Sequence, residues 1–293
     1  MTKRKSPTNI EYYELASEVR RTDVSILYRA IDKRKNQPLT VEIAAKLRLG
    51  SPDQIRDFYD RARTLASLEH ANLYIPAEFG VTDSNYPFFV WTLMETTDLW
   101  DALESSLSLS SDFIRTVFRK VCDALGLACS AGVQHSIIYP SDLLFRNGEG
   151  DDDPLIGGFE RELLVPEASE SPQVYTLYRA PELCLGAEAD ERSTIYALGC
   201  LLYEAVTSKP YELSPSFTCY IAAHEPSQCL TWLQGLPFSR QQPDRSMADS
   251  GEAASLEPVI AKCLQLNPTQ RYQDLVELKG DLLSTAGSVA DLL

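Results

Sequence analysis

The chain has 293 residues, 44% of them hydrophobic, which is enough to bury one large core or two smaller ones. With 27 Lys and Arg against 42 Asp and Glu, the formal net charge of −15 repels a nucleic-acid backbone or an anionic membrane surface. No run approaches the ~18 consecutive apolar residues of a membrane span, and the basic start Met1–Lys5 leads into polar sequence and not a secretory segment, so a cytoplasmic protein is expected.

Residues 1–10 read as a flexible leader. Two β-rich runs between Tyr12 and Ile31 flank the polar stretch Arg20–Asp23, the pattern of a hairpin. Gln37–Ile43 reads as a third strand. Ser51-Pro52-Asp53 then supplies an N-cap and a proline at the first helical position, with Ile55, Phe58, Ala62 and Leu65 at helical spacing behind it. Leu73–Gly80 and Pro87–Leu93 read as two more strands, closing a five-stranded sheet.

From Asp98 onward the pattern turns helical. Ser110-Ser111-Asp112 caps a helix with Phe113, Val117, Val121, Leu125 and Ala128 on one stripe. A loop on His135 follows, then a short strand (Leu143–Phe145), the acidic turn Asp151–Asp153, a second short strand (Leu155-Ile156) and Gly158-Phe159-Glu160. A polar segment runs through Tyr175. The next helix, Glu191–Thr207, is apolar nearly all round and must be buried on most sides. Pro237–Glu252 lacks periodicity and reads as a loop. The seven cysteines, at 122, 129, 184, 200, 219, 229 and 263, contain no C-x-x-C pair; buried reduced thiols are expected in preference to zinc or disulfides.

These segments, in this order, resemble the protein kinase family over about residues 12–284. The retained motifs are spread along the chain: His135 and Pro140 with Leu143-Leu144 in the catalytic-loop pattern, Phe159 of the metal-binding segment, Ala180-Pro181-Glu182, and Cys263-Leu-Gln-Leu-Asn-Pro-Thr-Gln-Arg271. The resemblance implies an α+β, bilobal protein kinase-like fold. Its N-lobe, 11–92, would hold a five-stranded antiparallel sheet with helix C; its C-lobe, 93–285, would be mainly helical, with a tail at 286–293. It also implies structural roles for His135 and Phe159, and an ion pair between Glu182 and Arg271.

At the chemical positions the sequence departs from the pattern. Ile137 stands at the catalytic aspartate, Gly158 at the metal-binding aspartate, Glu42 at the phosphate lysine and Arg61 at its helix C partner. Arg20, Thr22 and Ser25 replace the three glycines that let backbone amides approach phosphate, and Thr194 replaces the aspartate that steadies the catalytic loop. The nucleotide-pocket remnant would comprise Arg20, Thr22, Ser25, Leu27, Thr40, Trp91, Leu93 and Leu144. An indole at 91 would fill much of the adenine cavity; a tryptophan buried merely as core is the competing reading. Glu42 and Arg61 exchange the family's two charges, so a Glu42–Arg61 pair within about 4 Å is expected, against the alternative of two independent surface charges. No metal site is expected, with Asp142 and Asp152 the only candidates for a displaced cation. The expectation is therefore a catalytically inactive kinase fold, a pseudokinase with no cofactor beyond a residual claim on ATP. It would serve as a scaffold or regulator for a protein partner, such as an active kinase or another signalling protein. The alternatives are a divergent serine/threonine kinase-like phosphotransferase and a nucleotide-binding sensor.

Overall fold

The computed structural model describes residues 10–22, 24–94, 96–104, 109–146, 153–164, 178–211 and 255–284. Their elements, in chain order, are β1 (Tyr13–Arg21), β2 (Ser25–Asp32), β3 (Gln37–Ala44), α1 (Pro52–Ala66), β4 (Glu78–Val81), β5 (Pro87–Thr92), β6 (Thr97–Asp98), α2 (Leu99–Glu104), α3 (Ser111–Ser130), β7 (Leu143–Phe145), β8 (Pro154–Ile156), α4 (Arg161–Leu164), α5 (Pro181–Cys184), α6 (Glu191–Thr207), α7 (Glu257–Cys263) and α8 (Leu275–Ser284). They fall into two compact units. The first holds residues 1–69, 74–95 and 158–170; the second holds 70–73, 96–157 and 171–293.

The first unit is an antiparallel sheet in the order β1-β2-β3-β5-β4. Period-two alternation sends Ile26, Tyr28, Ala30, Val41, Ile43, Phe88 and Val90 to one face, where Ile10 and Tyr13 complete a buried cluster. The opposite face carries Glu42 and its cross-strand neighbour Phe89. Helix α1 starts where the sequence places it, with the Ser51 hydroxyl accepting from the Gln54 amide and proline at the first turn. Its buried stripe is Phe58, Ala62 and Leu65, and the Phe58 ring meets Phe89 edge-on at 5.7 Å.

Although β1 and β4 are the two outer strands, the sheet curls until they meet. The Tyr13 hydroxyl donates to the Glu78 carboxylate, while the Arg34 guanidinium reaches Asp32 and Glu78 at 2.8 Å each and also the Tyr13 oxygen. Arg34 holds the Asp32 carboxyl down to about 2 through hydrogen bonding.

One strand is shorter than the sequence pattern implies. Leu73–Gly80 does not run as a single strand: β4 begins at Glu78, and residues 70–73 join the second unit. There the Asn72 amide side chain donates to the Pro154 carbonyl at 2.7 Å, the Ile156 amide donates to the Asn72 carbonyl, and Leu73 forms a parallel bridge with Ile156. These bonds take the apolar run away from the sheet before Pro76.

The second unit is mainly helical, with a small sheet in the order β6-β7-β8. Helix α6 is buried over Ser193–Ala205, as its all-round apolar sequence requires. It lies so close to α7 that a Cβ on Gly199 would stand 2.6 Å from the Cys263 Cβ, so only glycine fits. Cys122, Cys129, Cys184, Cys200 and Cys263 are free thiols; Cys219 and Cys229 lie outside the described residues. No helix among the described residues is long and apolar enough to cross a membrane.

Candidate functional site

In the first unit the site residues are built around β3. Its register sets Leu27 opposite Glu42 and Arg29 opposite Thr40, with Trp91 beside Thr40 on the other flank. Glu42 is only 5% exposed, and its carboxylate accepts a hydrogen bond from the Ser25 hydroxyl, which is equally buried. Residues at the positions of a phosphate lysine and a loop glycine therefore satisfy each other. A bond of this kind to a charged acceptor contributes about 1.5–3 kcal/mol, which an incoming phosphate would have to displace.

Thr22 closes the hairpin end in the same way. Its hydroxyl accepts from the amides of Val24 and Ser25 at 3.2 and 3.0 Å, and the Thr22 amide donates to the Ser25 carbonyl. Amides that a glycine loop would point at phosphate are spent inside the turn. The spacing of Thr22 to Ser25 was visible in the sequence, as the ST-turn signature, but the comparison with glycine concealed it. Arg20 is exposed, and its hairpin neighbour Arg21 is held by Glu18.

The expected Glu42–Arg61 pair does not form. Arg61 lies on the exposed flank of α1, and its nearest acidic partner is Asp57, one turn back, at 3.8 Å. The apolar stripe of α1 fills the interface with the sheet, and Glu42 already has its partner there. Moving a solvated guanidinium into that interface would require desolvation for little gain. Helix α4 adds to this arrangement. The polar segment read after Glu160 opens with the turn Arg161–Leu164, which lies against α1 with Leu163 and Leu164 buried; its remainder through Tyr175 lies outside the described residues. Gly158, at φ +89, makes the bend that allows the Arg161 amide to donate back to its carbonyl. Phe159 and Glu160 are buried.

Trp91 is packed, at 6% exposure, and stacks on Tyr74 with ring centroids 4.9 Å apart. The Tyr74 hydroxyl donates to the Thr92 carbonyl, and its pKa is pushed up to about 12 by burial and by the Glu160 carboxylate. Tyr74, which the sequence pattern did not single out, is thus the partner that fixes the indole. Leu27 and Thr40 are half-buried and Leu93 is exposed.

In the second unit the catalytic-loop frame is intact while its chemical group is absent. His135 donates from Nε2 to the Gly157 carbonyl at 2.7 Å, since a carbonyl can only accept. The Thr194 hydroxyl donates to the His135 carbonyl at 3.2 Å, so it anchors the loop as a donor where the family uses an acceptor. Ile137 pairs through its backbone with Arg179, and the Tyr139 and Tyr178 rings meet edge-on at 5.4 Å. Tyr178 donates to the buried Glu204 at 2.6 Å. Asp142 is buried, and its carboxylate accepts from the Tyr139 amide at 2.8 Å, serving its own loop. Leu144 is half-buried in β7. Asp152 lies outside the described residues, as does the Pro237–Glu252 loop. Among the described residues no group of His, Cys, Asp and Glu is placed to hold a metal.

Glu182 and Arg271 form the most complete constellation. The guanidinium, with no side-chain exposure, donates to both carboxylate oxygens at 2.7 and 2.8 Å. Its remaining N–H groups reach the carbonyls of Arg192, Gln265 and Leu266, so all five donors are used.

A curled five-stranded sheet with its helix, a helical unit anchored by a buried Arg–Glu pair and a histidine-held loop define a protein kinase-like domain. Residues 13–279 match the protein kinase domain family, and the chain belongs to it. It is 25% identical over 287 residues to the serine/threonine-protein kinase PknL of Mycobacterium tuberculosis, covering 95% of this chain and 66% of that protein. It is 24% identical to PknB of Mycolicibacterium smegmatis, covering 92% of this chain and 42% of that one. The chain thus spans less than two thirds of the length of these relatives. Among solved structures, the kinase domain of Mycobacterium tuberculosis PknI superposes with a TM-score of 0.68 at 16% identity, covering 97% of this chain and all of that one.

Proposed function

We propose that this domain is a catalytically inactive member of the protein kinase family, acting as a protein-binding scaffold or regulator of signalling. The observation that carries the reading is the Ser25–Glu42 bond: a buried carboxylate, already bound, stands where the chemistry needs a cation. Phosphoryl transfer is catalysed mainly by positioning and charge neutralisation around magnesium. Here Ile137 removes the base, Gly158 removes the metal ligand and Asp142 is turned into its own loop. The kinase frame retained around these losses supports selection for shape. An active kinase or another signalling protein is the class of partner we assign to it.

A second reading, a divergent serine/threonine kinase-like phosphotransferase, draws on the names of PknL and PknB. A radiolabelled phosphotransfer assay with magnesium or manganese separates the two. The inactive reading expects no transfer to itself or to generic protein substrates. Transfer that disappears on substitution of a residue of this chain would establish the phosphotransferase.

A further inference from the structure

Strand β1 is an outer strand of the first unit's sheet, and among the described residues only β2 pairs with it. Its start is closed by the clasp at Tyr13, but residues 16–21 are all exposed, Val19 at 50%. An outer edge of this length is a template for strand addition, which β1 restricts with two bulges, where its register with β2 skips Ala16 and Val19. Any strand that joins it must therefore be selected by side chains as well as by backbone.

The sequence of β1, Tyr13-Glu-Leu-Ala-Ser-Glu-Val-Arg-Arg21, is complementary to itself when a second copy runs antiparallel and Ser17 faces Ser17. Glu14 then comes opposite Arg20 of the other copy and Leu15 opposite Val19, and two-fold symmetry makes each contact twice. Glu14 and Arg20 share one face of β1, as their partners Ile31 and Leu27 share one face of β2. Six residues apart on a strand, they stand about 20 Å from each other and cannot pair within one chain. Among the described residues neither side chain has a hydrogen bond or ion pair, whereas Arg21 is held by Glu18. Neighbouring registers are poorer: centring on Ala16 sets Glu14 against Glu18, and centring on Glu18 sets Leu15 against Arg21. The first unit is also close to neutral, with 15 Lys and Arg against 17 Asp and Glu, so little long-range repulsion opposes approach on this side.

We propose that β1 is the pairing edge of a symmetric dimer of this chain, in which two sheets join antiparallel, centred on Ser17, with Glu14 of each copy bonded to Arg20 of the other. Such an assembly goes beyond the inactive-kinase reading and holds whether or not the domain transfers phosphate. One strand edge buries less than the ~1,200 Å² at which standard specific interfaces begin, so the dimer is weak and forms at about 10 μM or above.

Sedimentation velocity of the whole chain from about 1 μM to about 1 mM should show a monomer–dimer equilibrium. Glu14→Arg or Arg20→Glu alone replaces two attractive cross-strand pairs with two repulsive ones and should raise the dissociation constant about tenfold or more. The double variant Glu14→Arg with Arg20→Glu restores both attractions and should return to within about threefold of the parent. In the parent itself, amide hydrogen exchange over residues 14–21 should slow as concentration rises, a reading that needs no variant to fold. A chain that stays monomeric throughout would overturn the dimer. So would self-association that is indifferent to the single reversals, a double variant no better than the singles with thermal midpoints equal to the parent's, or dimerisation that leaves exchange in β1 unchanged.

Discussion

At the scale of single residues, two charged pairs decide how the chain should be read. Glu182–Arg271 is buried, bidentate and saturated, so removing the cation leaves a carboxylate stranded. Arg271→Leu should cost about 3–5 kcal/mol in denaturant unfolding, and a variant that unfolds like the parent would contradict the placement. Glu42 and Arg61 are the opposite case. A double-mutant cycle on Glu42→Gln and Arg61→Ala should give no coupling, and Arg61→Ala alone should change stability by about 0–1 kcal/mol, because its contact with Asp57 is solvent-exposed. Coupling of a kcal/mol or more would mean that the two side chains meet in solution. The resemblance implied the first pair through matched motifs, whereas the second rested on two exchanged charges at aligned positions, which carry charge but not side-chain direction. What separated them was local: Ser25, next to Glu42 across the sheet, offered a shorter route to satisfaction than a helix on the far side of an apolar seam.

At the scale of elements, β1 and β4 are joined by the Tyr13–Arg34–Glu78–Asp32 clasp, and this predicts an acid sensitivity. Asp32 has a folded pKa of about 2, below its ordinary value, so protons favour the unfolded chain. Its stabilisation is present above the ordinary carboxylate range and is lost as pH falls towards about 2. Glu78 adds in the same direction: burial pushes its pKa up, but the Tyr13 and Arg34 hydrogen bonds outweigh it. Thermal melts of Asp32→Asn should lie below those of the parent at neutral pH and converge with them as the solution is acidified; a constant gap would refute the clasp. Elements with a strong local signature were legible in advance. Capped α1 and α3 and the apolar α6 follow from side-chain chemistry within a turn or two. The start of the Leu73–Gly80 run and the turn α4 after Glu160 were not legible because their outcome depends on distant partners, the Pro154 carbonyl for Asn72 and the flank of α1 for α4.

At the scale of the molecule, the net charge is divided unequally. The first unit, with 15 Lys and Arg against 17 Asp and Glu, carries −2, and the second carries −13. The fold was legible because motifs such as Ala180-Pro181-Glu182 and Asn267-Pro268 with Arg271 are structural and are kept where the residues at the chemical positions differ. The candidate site was legible only as a set of absences. What replaced the missing groups, Thr22 closing the turn, Ser25 holding Glu42 and Tyr74 fixing Trp91, required side-chain positions. Together these replacements make the central claim that the phosphate-facing groups of the first unit are satisfied from within. Calorimetric titration of the whole chain with ATP, with and without magnesium, tests it most directly. The account predicts no saturable heat in either condition; a dissociation constant in the micromolar range, about −8 kcal/mol, would contradict it.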